Sequence, residues 1–599
     1  MSAPLTRPAA RGHVALSGPR GAAQRARWAG HLLEQVDADP WGHITPSVYE
    51  TARVHAHHPG LSGGAARLDW LLDQQGPEGL WGRGSTAHRL LPTLGATAAL
   101  LSHLSHGLPG ERVVRAVTGG LAALREMPAQ GAPPDTAAVE LLVPGLLTEV
   151  GRLLDTLAPR GTTGHPALRA LHRAPRPGTA YGLPPAPPTA LEHRLRQVPA
   201  LPVKWNHCYE ALAAACPPAL VPRPGPGLLG GSPAATAAWL AADLTGPTGP
   251  TGTARRTAVA ALEATARRYG GLFPETAPLA AFERLWILAA FLKAGLLRRP
   301  DEPVTRPDEP PAGAEALAGR WLEPLVESGG VRGAPGLAPD ADDTAMALFV
   351  AAGLGLPHDP GLLTPFWAGD HFACYLGEDT GSISANAHAL TALASGPRRP
   401  PRRRTSTSTS TSSSARTTGP TVTALRAWLT AQQNPDGCWT DKWHASPLYA
   451  TSRVATALAR HRDPAAHPAA HPAAHRALHR AAAWALRTQN PDGSWGIWGP
   501  TVEETVYGVQ ILLAAPAPHT GPVTRAHAYL TRHLGDDVPV HPPRWHDKTL
   551  YSPTAVVEAE LIATLHTLAH RGLVPDATGS SERPRRIHGH APRPALPHA

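Results

Sequence analysis

Apolar residues recur every three or four positions over most of the chain, in stretches rich in alanine and leucine that are separated by turns containing glycine and proline. This spacing is typical of α-helices that bury one face. Almost no stretch shows the alternation of β-branched and polar residues that is typical of a strand. The pattern therefore predicts an all-α protein.

Three short units with a shared pattern each follow a predicted amphipathic helix. They have the form Gln-x-Pro-(Asp/Glu)-Gly-x-Trp and occupy residues 75–81, 433–439 and 489–495. Proline and glycine favour a tight turn, glutamine can hydrogen-bond the backbone at a helix end, and tryptophan buries a large ring. We expect these units to join helices and not to take part in chemistry.

Four stretches lack the apolar residues needed for a core. Residues 1–25 are rich in alanine, proline and arginine, residues 298–313 are rich in proline and charge, and residues 396–420 combine an arginine run with alternating threonine and serine. Such compositions are typical of disordered segments and linkers. We predict a disordered N-terminus, a linker, a disordered insert and, over 576–599, a disordered tail.

The net charge of +9 could indicate a nucleic-acid partner. Ten arginines in the predicted insert and tail, offset by Glu582, account for all of it, so we expect no nucleic-acid partner. The four cysteines form no Cys-x-x-Cys pair, and no run of about 18 apolar residues occurs. We therefore expect no disulfide framework, cysteine-rich zinc site, signal peptide or membrane span, and predict a cytoplasmic protein.

Three carboxyl groups lie close together in the segment 340–345, at the start of an apolar run that follows Pro339. The cluster predicts a helix start, with Asp340 and Asp343 on one face and Asp342 elsewhere. Neighbouring carboxyls in an apolar cavity cannot all ionise cheaply, although a helix start favours anions. We assign the negative charge to the flanking pair and a proton to Asp342; the alternative is a capping cluster on a surface helix.

This segment, Asp-Ala-Asp-Asp-Thr-Ala, resembles the DxDD(TA) signature of class II terpene cyclases, in which the middle aspartate protonates an alkene. The three Gln/Trp units are similar to the QW repeats of the same enzymes. Six further segments resemble, in order, elements of the class II diterpene cyclases: 47–54, 139–144, 231–238, 282–286, 384–390 and 441–447. The chain is identified as a member of that family over about residues 40–570.

The resemblance implies a βγ architecture of two α/α-barrel domains, and 599 residues suffice for two cores. The catalytic β domain would consist of residues 26–59 and 306–575. The γ domain would be inserted between them, over residues 60–305.

The resemblance also implies roles for individual residues near the acid. Asn386 would hold Asp342 by a hydrogen bond, unless it only caps a helix. Lys442 and His444 would bind a diphosphate, and the ring of Trp443 would face the prenyl chain. Lys204 is a further substrate-binding candidate. The alternative is that Trp443 belongs to the core and Lys442 to the solvated surface.

The end of the reaction has two candidate residues. In plant relatives that make ent-copalyl diphosphate, a histidine and an asparagine position a water for the final deprotonation. His193 aligns with that histidine, whereas Glu275 replaces the asparagine. Glu275 could act as a base, redirect water or stabilise a migrated cation; the alternative is a surface residue with no role.

The implied function is protonation-initiated cyclisation of geranylgeranyl diphosphate to a bicyclic labdane-type diphosphate, such as a copalyl diphosphate, or to a rearranged halimane or clerodane diphosphate. The resemblance implies Mg²⁺ as cofactor, although no ligands are evident. No Asp-Asp-x-x-Asp motif occurs, and residues 536–540 fail at its last position. The product should therefore keep its diphosphate and pass to a downstream class I diterpene synthase.

Two other functions remain open from the sequence. A squalene-type triterpene cyclase shares the acid motif and the QW units, but the aromatic content of 5% and the Lys442/His444 pair speak against it. A helical scaffold that has lost its chemistry is the non-enzymatic alternative. The sequence leaves the oligomeric state open.

Overall fold

The computed structural model describes residues 18–107, 110–157, 166–185, 193, 195, 197–222, 227–243, 253–297, 314–326, 330–378, 380–395, 414–460, 471–534 and 542–574. Nearly all regular structure in these ranges is helical. Within them, the single sheet is an antiparallel pair of two-residue strands, β1 (Trp545–His546) and β2 (Leu550–Tyr551). The prediction of an all-α fold is confirmed.

One set of helices surrounds a single large core. Its members are α1 (Gly18–Ala38), α11 (Ala280–Ala294), α12 (Ala314–Val326), α13 (Ala341–Leu354), α14 (Ile383–Ala394), α15 (Ser414–Ala431), α16 (Pro447–Arg460), α17 (Pro472–Thr488), α18 (Val502–Ala514), α19 (Thr520–Arg532) and α20 (Thr554–His570).

Six of these helices form a closed inner ring. In order around the ring, α11, α13, α14, α16, α18 and α20 each pack on the next, and α20 packs back on α11. Helices α1, α12, α15, α17 and α19 lie outside the ring. Inner helices such as α14 are apolar on nearly every face because both faces are covered, whereas outer helices such as α17 bury one stripe. The result is an α/α barrel.

A second, smaller set of helices surrounds two further core clusters. Its members are α2 (Val48–His57), α3 (Gly64–Asp73), α4 (Leu90–His106), α5 (Glu111–Glu126), α6 (Val139–Thr156), α7 (Pro166–His172), α8 (Tyr209–Leu212), α9 (Pro233–Asp243) and α10 (Thr253–Arg268). Helices α2, α4, α6, α8 and α9 pack in a second closed ring. Four short 3₁₀ segments, Val203–Cys208, Pro218–Leu220, Leu229–Gly231 and Pro360–Phe366, complete the helical structure.

The chain changes from one ring to the other at two places. Ile44 belongs to the large core and Tyr49 to the smaller set; Ala277 belongs to the smaller set and Leu279 to the large core. Helix α2 therefore lies in the second ring and α11 in the first, although the predicted insertion ran from 60 to 305. Both helices are buried on most faces, so neither has one apolar stripe that would show which core it joins.

Two predictions of disorder extend too far. Helix α1 begins at Gly18, inside the predicted N-terminal segment 1–25, and α15 begins at Ser414, inside the predicted insert. The remainders of both segments, the predicted linker 298–313 and the predicted tail lie outside the described residues. None of the described helices has the length and apolarity needed to cross a membrane.

The three Gln/Trp units have the same structure. Trp81, Trp439 and Trp495 are fully buried, and each indole donates to a carbonyl of the preceding helix at 2.7–2.8 Å. Each glutamine amide donates to two carbonyls, one in its own turn and one in the second helix that follows, at 2.8–3.0 Å. The predicted role of these units in joining helices is confirmed.

Candidate active site

The acidic cluster opens α13, as its sequence predicts. Asp340 is the N-cap residue, and its Oδ1 accepts a hydrogen bond from the backbone N–H of Asp343 at 2.7 Å. Thr344 donates its hydroxyl to the Asp340 carbonyl. The two flanking aspartates are thus hydrogen-bonded to each other, and all three aspartates line a cavity between the two rings.

Asp342 is paired with a histidine. Its Oδ1 lies 2.6 Å from Nδ1 of His388, which is on the second turn of α14. The side chain of Asp342 is 13% exposed, and that surface faces the cavity. A protonated Asp342 can therefore contact a molecule in the cavity while His388 holds it from behind.

All three carboxyl groups are harder to ionise than usual. Burial, reinforced by the charge of Asp441, raises the pKa of Asp342 well above its ordinary value. Burial and the adjacent Asp340 do the same to the pKa of Asp343, while burial raises that of Asp340 to about 7. The prediction that both flanking aspartates are charged is wrong for Asp343, because two buried carboxyls in contact cannot both ionise cheaply.

His388 is neutral. Burial, with the positive charges of Lys293 and Arg453, lowers its pKa well below the ordinary value. Its Nε2 is buried and has no hydrogen-bond partner among the described residues. The pair that meets the cavity is therefore an uncharged carboxylic acid and an uncharged imidazole.

Asn386 does not contact the acid. Its Nδ2 donates to the carbonyls of Phe372 and Ser382 at 2.9 and 2.8 Å, and its Oδ1 accepts from the Phe372 N–H at 2.7 Å. The prediction that Asn386 holds Asp342 is wrong, because Asn386 faces the loop before α14 while His388, two residues later, faces α13. The sequence signal for His388 lies in the same Ser-x-Asn-Ala-His segment.

The segment 441–447 fixes the start of α14. Asp441 accepts hydrogen bonds from the Ser382 hydroxyl, the Ile383 N–H and the Ser384 hydroxyl at 2.6–2.9 Å. A carboxylate in this position satisfies backbone donors that the helix itself leaves unpaired. Asp441 thereby fixes the helix that carries His388.

The cavity beside Asp342 has a volume of about 490 Å³. Its walls come from both rings and from the β1–β2 hairpin, and they combine aromatic rings with a few polar groups. The aromatic members are Trp205, Phe282, Trp286, Tyr375, Trp443, Tyr449, Trp545 and Tyr551. This volume and lining suit an elongated apolar molecule with one polar end.

One part of the cavity wall carries cations. Lys442 and Lys204 both line it, as does the ring of Trp443. Lys442 Nζ lies 5.4 Å from the centre of that ring and 2.7 Å from Oε2 of Glu378. Asp135 also lines this part of the wall. The arrangement offers an anionic group two ammonium ions next to an aromatic face.

His444 is not part of the cavity wall. Its side chain is fully buried, stacks on Tyr449 with ring centres 4.8 Å apart, and contacts Glu503 at 3.3 Å. Its Nδ1 accepts from the Ser446 N–H. The prediction that His444 binds substrate is wrong, because the turn at 441–444 directs the histidine into the core when it exposes Lys442 and Trp443.

His193 is also far from the role predicted for it. It is exposed, hydrogen-bonds Gln197 and does not line the cavity. Glu275 is fully buried, accepts from Thr549, and lies behind the wall that Thr276 forms. Burial, with Asp547 and Glu50, raises the pKa of Glu275 to about 8, so it is neutral near pH 7. Neither residue can take a proton from a molecule in the cavity.

The wall of the cavity instead contains an ion pair that was not predicted from the sequence. His207 Nε2 lies 2.7 Å from Oδ1 of Asp547, and His207 Nδ1 lies 2.8 Å from the Gly230 carbonyl. Thr276 donates its hydroxyl to the other carboxylate oxygen at 2.7 Å. Because both ring nitrogens of His207 face acceptors, both carry protons, and the imidazolium is positive.

Asp547 is correspondingly a carboxylate. Burial would raise its pKa, but His207 and Lys548 outweigh burial and lower the pKa to about 2. Lys548 is itself fully buried and bonds Glu50, Glu210 and Ser232 at 2.7 Å each. Of these residues, Glu50 and Ser232 lie in two of the segments noted in the sequence, 47–54 and 231–238, and the others lie outside them. The chance of finding His207 and Asp547 was small because 340 positions separate them.

No ready-made metal site is present in the part of the chain that the structure describes: no group of three or more histidine, cysteine, aspartate or glutamate side chains is placed to bind one ion. Mg²⁺ in proteins often uses only one or two carboxylates together with the phosphates of its ligand. Glu378 and Asp135, beside Lys442, would suffice for that mode of binding.

Comparison with known proteins shows similarity along nearly the whole chain. A family model described as squalene-hopene cyclase C-terminal domain matches residues 407–517. A labda-7,13-dienyl diphosphate synthase from Streptomyces clavuligerus is 48% identical over 549 residues, which are 91% of this chain and 93% of that protein. A copalyl diphosphate synthase from Streptomyces cyslabdanicus is 44% identical over 557 residues, covering 91% and 96%.

One solved structure is similar over both rings. The ent-copalyl diphosphate synthase from Streptomyces platensis is 36% identical, with a TM-score of 0.74, and the match covers 92% of this chain and 100% of that one. The ent-copalyl diphosphate synthase from Arabidopsis thaliana, at 16% identity and a TM-score of 0.51, shares the fold. The similarity therefore includes the helices that surround the cavity and is not confined to the segment that the family model matches.

Proposed function

Because this chain belongs to the class II diterpene cyclases, we propose that it cyclises geranylgeranyl diphosphate to a bicyclic labdane-type diphosphate. Asp342 would start the reaction by protonating the terminal alkene. One observation carries the proposal: a neutral carboxylic acid, held by a neutral histidine, faces an aromatic cavity of about 490 Å³.

Asp342 suits protonation of an alkene because its proton is both present and exposed to the cavity. With Asp342 and His388 neutral, one proton lies in the hydrogen bond between them. If His388 Nδ1–H donates to Oδ1, the acid O–H on Oδ2 remains free for the substrate, and the donated bond stabilises the carboxylate that forms. We assign this tautomer to the active state.

The aromatic walls then stabilise the carbocations that the cyclisation forms. Phe282, Trp286, Tyr449 and Trp545 line the cavity next to the acid, and aromatic faces attract positive charge. A fixed apolar wall also keeps water from quenching the cation. The polyene substrate closes into a decalin because the cavity holds it in a bent conformation.

The diphosphate would bind at Lys442 and Lys204. Glu378 and Asp135 are the residues that would hold Mg²⁺ together with the diphosphate oxygens. When bound, the metal ion neutralises part of the diphosphate charge. Lys442 and Lys204 provide the remaining positive charge, and Trp443 contacts the first isoprene unit of the chain.

The reaction would end at Asp547. Its carboxylate faces the cavity, is ionised, and has His207 and Thr276 to hold its two oxygens. Transfer of a proton from the labdanyl cation to this carboxylate gives an alkene and a neutral carboxylic acid, and His207 holds the carboxylate in place before the transfer. This replaces the roles predicted for His193 and Glu275.

The product would leave with its diphosphate intact, and a class I diterpene synthase would then ionise it. The absence of an Asp-Asp-x-x-Asp motif from the sequence supports this proposal; residues 536–540, which come near to the motif, all lie outside the described residues. A cytoplasmic location remains a prediction, supported by four cysteines that are all free and buried.

The test compares the purified wild-type chain with Asp342→Asn and, as a matched control, Asp370→Asn, whose carboxyl is 66% exposed. Each protein is incubated with geranylgeranyl diphosphate and Mg²⁺, and with squalene, and the dephosphorylated products are identified by mass spectrometry and NMR. We expect a bicyclic diterpenol from the wild type and the control, and a rate on the order of 10³-fold lower for Asp342→Asn. Turnover of squalene alone, or equal inactivity of all three proteins, would contradict the proposal.

A further inference from the structure

The barrel contains a second cavity at the opposite end from the first. Its volume is about 250 Å³, and five of the six inner helices line it. Its floor includes His388, and its walls come from the C-terminal halves of α11, α14, α16, α18 and α20. This space, the rear cavity, is separated from the substrate cavity by the Asp342–His388 pair.

The rear cavity is strongly cationic. Four basic side chains line it, against one carboxyl group: Lys293, Arg453, Arg460 and Arg571 against Glu560. Glu560 is already bonded to Arg453 at 2.7 Å and to Gln510 at 2.6 Å. The other three cations therefore have no carboxylate partner inside the rear cavity.

Two of these cations converge. Lys293 Nζ and the Arg460 guanidinium lie 5.6 and 5.4 Å from the centre of the same Phe349 ring. Neither has a hydrogen bond or ion pair with any described residue. Burial lowers the pKa of both, that of Lys293 to about 7, where Arg453 adds to the effect. Two neighbouring cations repel each other, and Glu560, the one carboxylate among the residues that line the rear cavity, is bonded to Arg453, so a bound anion would reduce this repulsion.

Helix C-termini account for only part of this charge. Cations near the last turn of a helix are stabilised by its dipole, which suits Lys293, Arg460 and Arg571. Arg453 lies almost two turns before the end of α16, and Lys293 points into the barrel against Phe349. Exposed Arg460 and Arg571 form the rim, while Lys293 and buried Arg453 line the interior, so the charge continues inward from the solvent.

We infer that the rear cavity is a binding site for a small inorganic oxyanion of the phosphate class, held by Lys293, Arg453 and Arg460. Thr456, on the same wall, offers a hydroxyl donor. A volume of about 250 Å³ accommodates phosphate or diphosphate but is too small for the C20 chain of the substrate. The site is distinct from Lys204 and Lys442, which lie in the substrate cavity.

The inference does not depend on the cyclisation chemistry, and it is tested by binding without substrate. Thermal unfolding of the full-length protein is followed while phosphate, diphosphate or sulfate is titrated at constant ionic strength, with chloride as the reference. Because Lys204 and Lys442 can also bind these anions, the titration is repeated in Lys204→Met/Lys442→Met, where only the rear cavity retains its cations.

We expect the anions to raise the unfolding temperature of this double variant, with a saturable dependence on concentration. Adding Lys293→Met should weaken the apparent affinity about tenfold, as loss of one charged contact predicts. Arg460→Gln, at the exposed rim, tests the same site where Lys293→Met fails to fold. Arg476→Gln, an exposed arginine on α17, is the matched control and should leave the affinity unchanged.

Several results would overturn the inference: no saturable shift with any of the three oxyanions, an equal shift with chloride, loss of the shift in Lys204→Met/Lys442→Met alone, or an affinity unchanged by both Lys293→Met and Arg460→Gln. The difference between phosphate and diphosphate identifies which anion the site prefers. Turnover measured in chloride buffer reports separately on the cyclase activity, so either proposal can fail without the other.

Discussion

Nδ1 of His388 lies 2.6 Å from Oδ1 of Asp342, whereas Asn386, on the same helix, bonds only to the backbone at Phe372 and Ser382. Two polar residues that are two positions apart on one helix therefore have different tasks. His388 orients the acid, and Asn386 satisfies the loop that leads into α14. Substitution of each residue in turn should separate these two roles.

Replacement of His388 by phenylalanine should slow turnover without unfolding the protein. The ring volume is kept, but Asp342 loses the donor that orients it and stabilises its carboxylate, so we expect kcat to fall on the order of 10²-fold with KM nearly unchanged. Loss of that donor should also raise the pKa of Asp342 and move the high-pH limb of kcat upward. Substitution of a residue with a merely structural role would not change the pH at which kcat falls.

Asn386→Ala should show the reverse pattern. It leaves the N–H and the carbonyl of Phe372 without partners, each worth about 1–3 kcal/mol, whereas the Ser382 carbonyl keeps the backbone N–H of residue 386. The variant should therefore have a lower free energy of unfolding in denaturant titrations. The kcat of the folded fraction should stay within a few-fold of the wild type. A large loss of kcat at unchanged stability would restore Asn386 as the partner of the acid.

The pH dependence of kcat should follow Asp342. Burial and Asp441 raise its pKa well above the ordinary value, so the proton is present at neutral pH, and turnover is lost as the pH rises through the pKa of the folded state. Because the pKa of Asp342 is higher in the folded state than in the unfolded state, its carboxyl group stabilises the fold fully below the unfolded pKa of about 3.9. This stabilisation is lost as the pH rises through the pKa of the folded state.

Lys442→Met should weaken substrate binding selectively. Lys442 lines the cavity and faces Trp443, so loss of its charge should raise KM for geranylgeranyl diphosphate about tenfold and change kcat little. His444→Gln should leave KM unchanged and lower stability, because this ring is buried against Tyr449. Steady-state kinetics and thermal unfolding of both variants distinguish the two neighbours; a raised KM in His444→Gln would contradict the assignment.

The sequence predicted the parts of the molecule that are governed by local pattern. The helical period gave the fold class, the Gln/Trp units gave the helix junctions, and the carboxyl cluster gave the start of α13, because each depends on residues a few positions apart. The protonation states of Asp340, Asp342 and Asp343 were harder to predict, since their pKa values depend on burial by helices of both rings.

Side-chain direction and long-range pairing lay beyond that pattern. His388 and Asn386 lie two positions apart on one helix and face different neighbours, so only His388 contacts the acid. Within the turn at 441–444, His444 points into the core while Lys442 faces the cavity. The His207–Asp547 pair joins a 3₁₀ segment of the smaller set to the β1–β2 hairpin of the larger one, so only the packed structure brings its members together.

Asp547→Asn should change the product more than the rate of the first step. The amide cannot accept a proton from the labdanyl cation, yet it keeps the size of the side chain and can still bond Thr276. The cation would then be captured by water or lose a proton elsewhere, giving hydroxylated or rearranged diphosphates. We expect the main wild-type product to fall about tenfold as a share of the total, while substrate consumption falls less.

His207→Gln and Thr276→Val show whether this effect belongs to the carboxylate itself. Both leave Asp547 in place: the first removes the imidazolium, so the pKa of Asp547 should rise, and the second removes one hydrogen bond. If Asp547 is the terminal base, His207→Gln should give a more basic carboxylate and keep the wild-type product as the main one, and Thr276→Val should change little. Were His207 the base, His207→Gln would give the new products and Asp547→Asn would not; gas chromatography of the dephosphorylated mixtures decides between them.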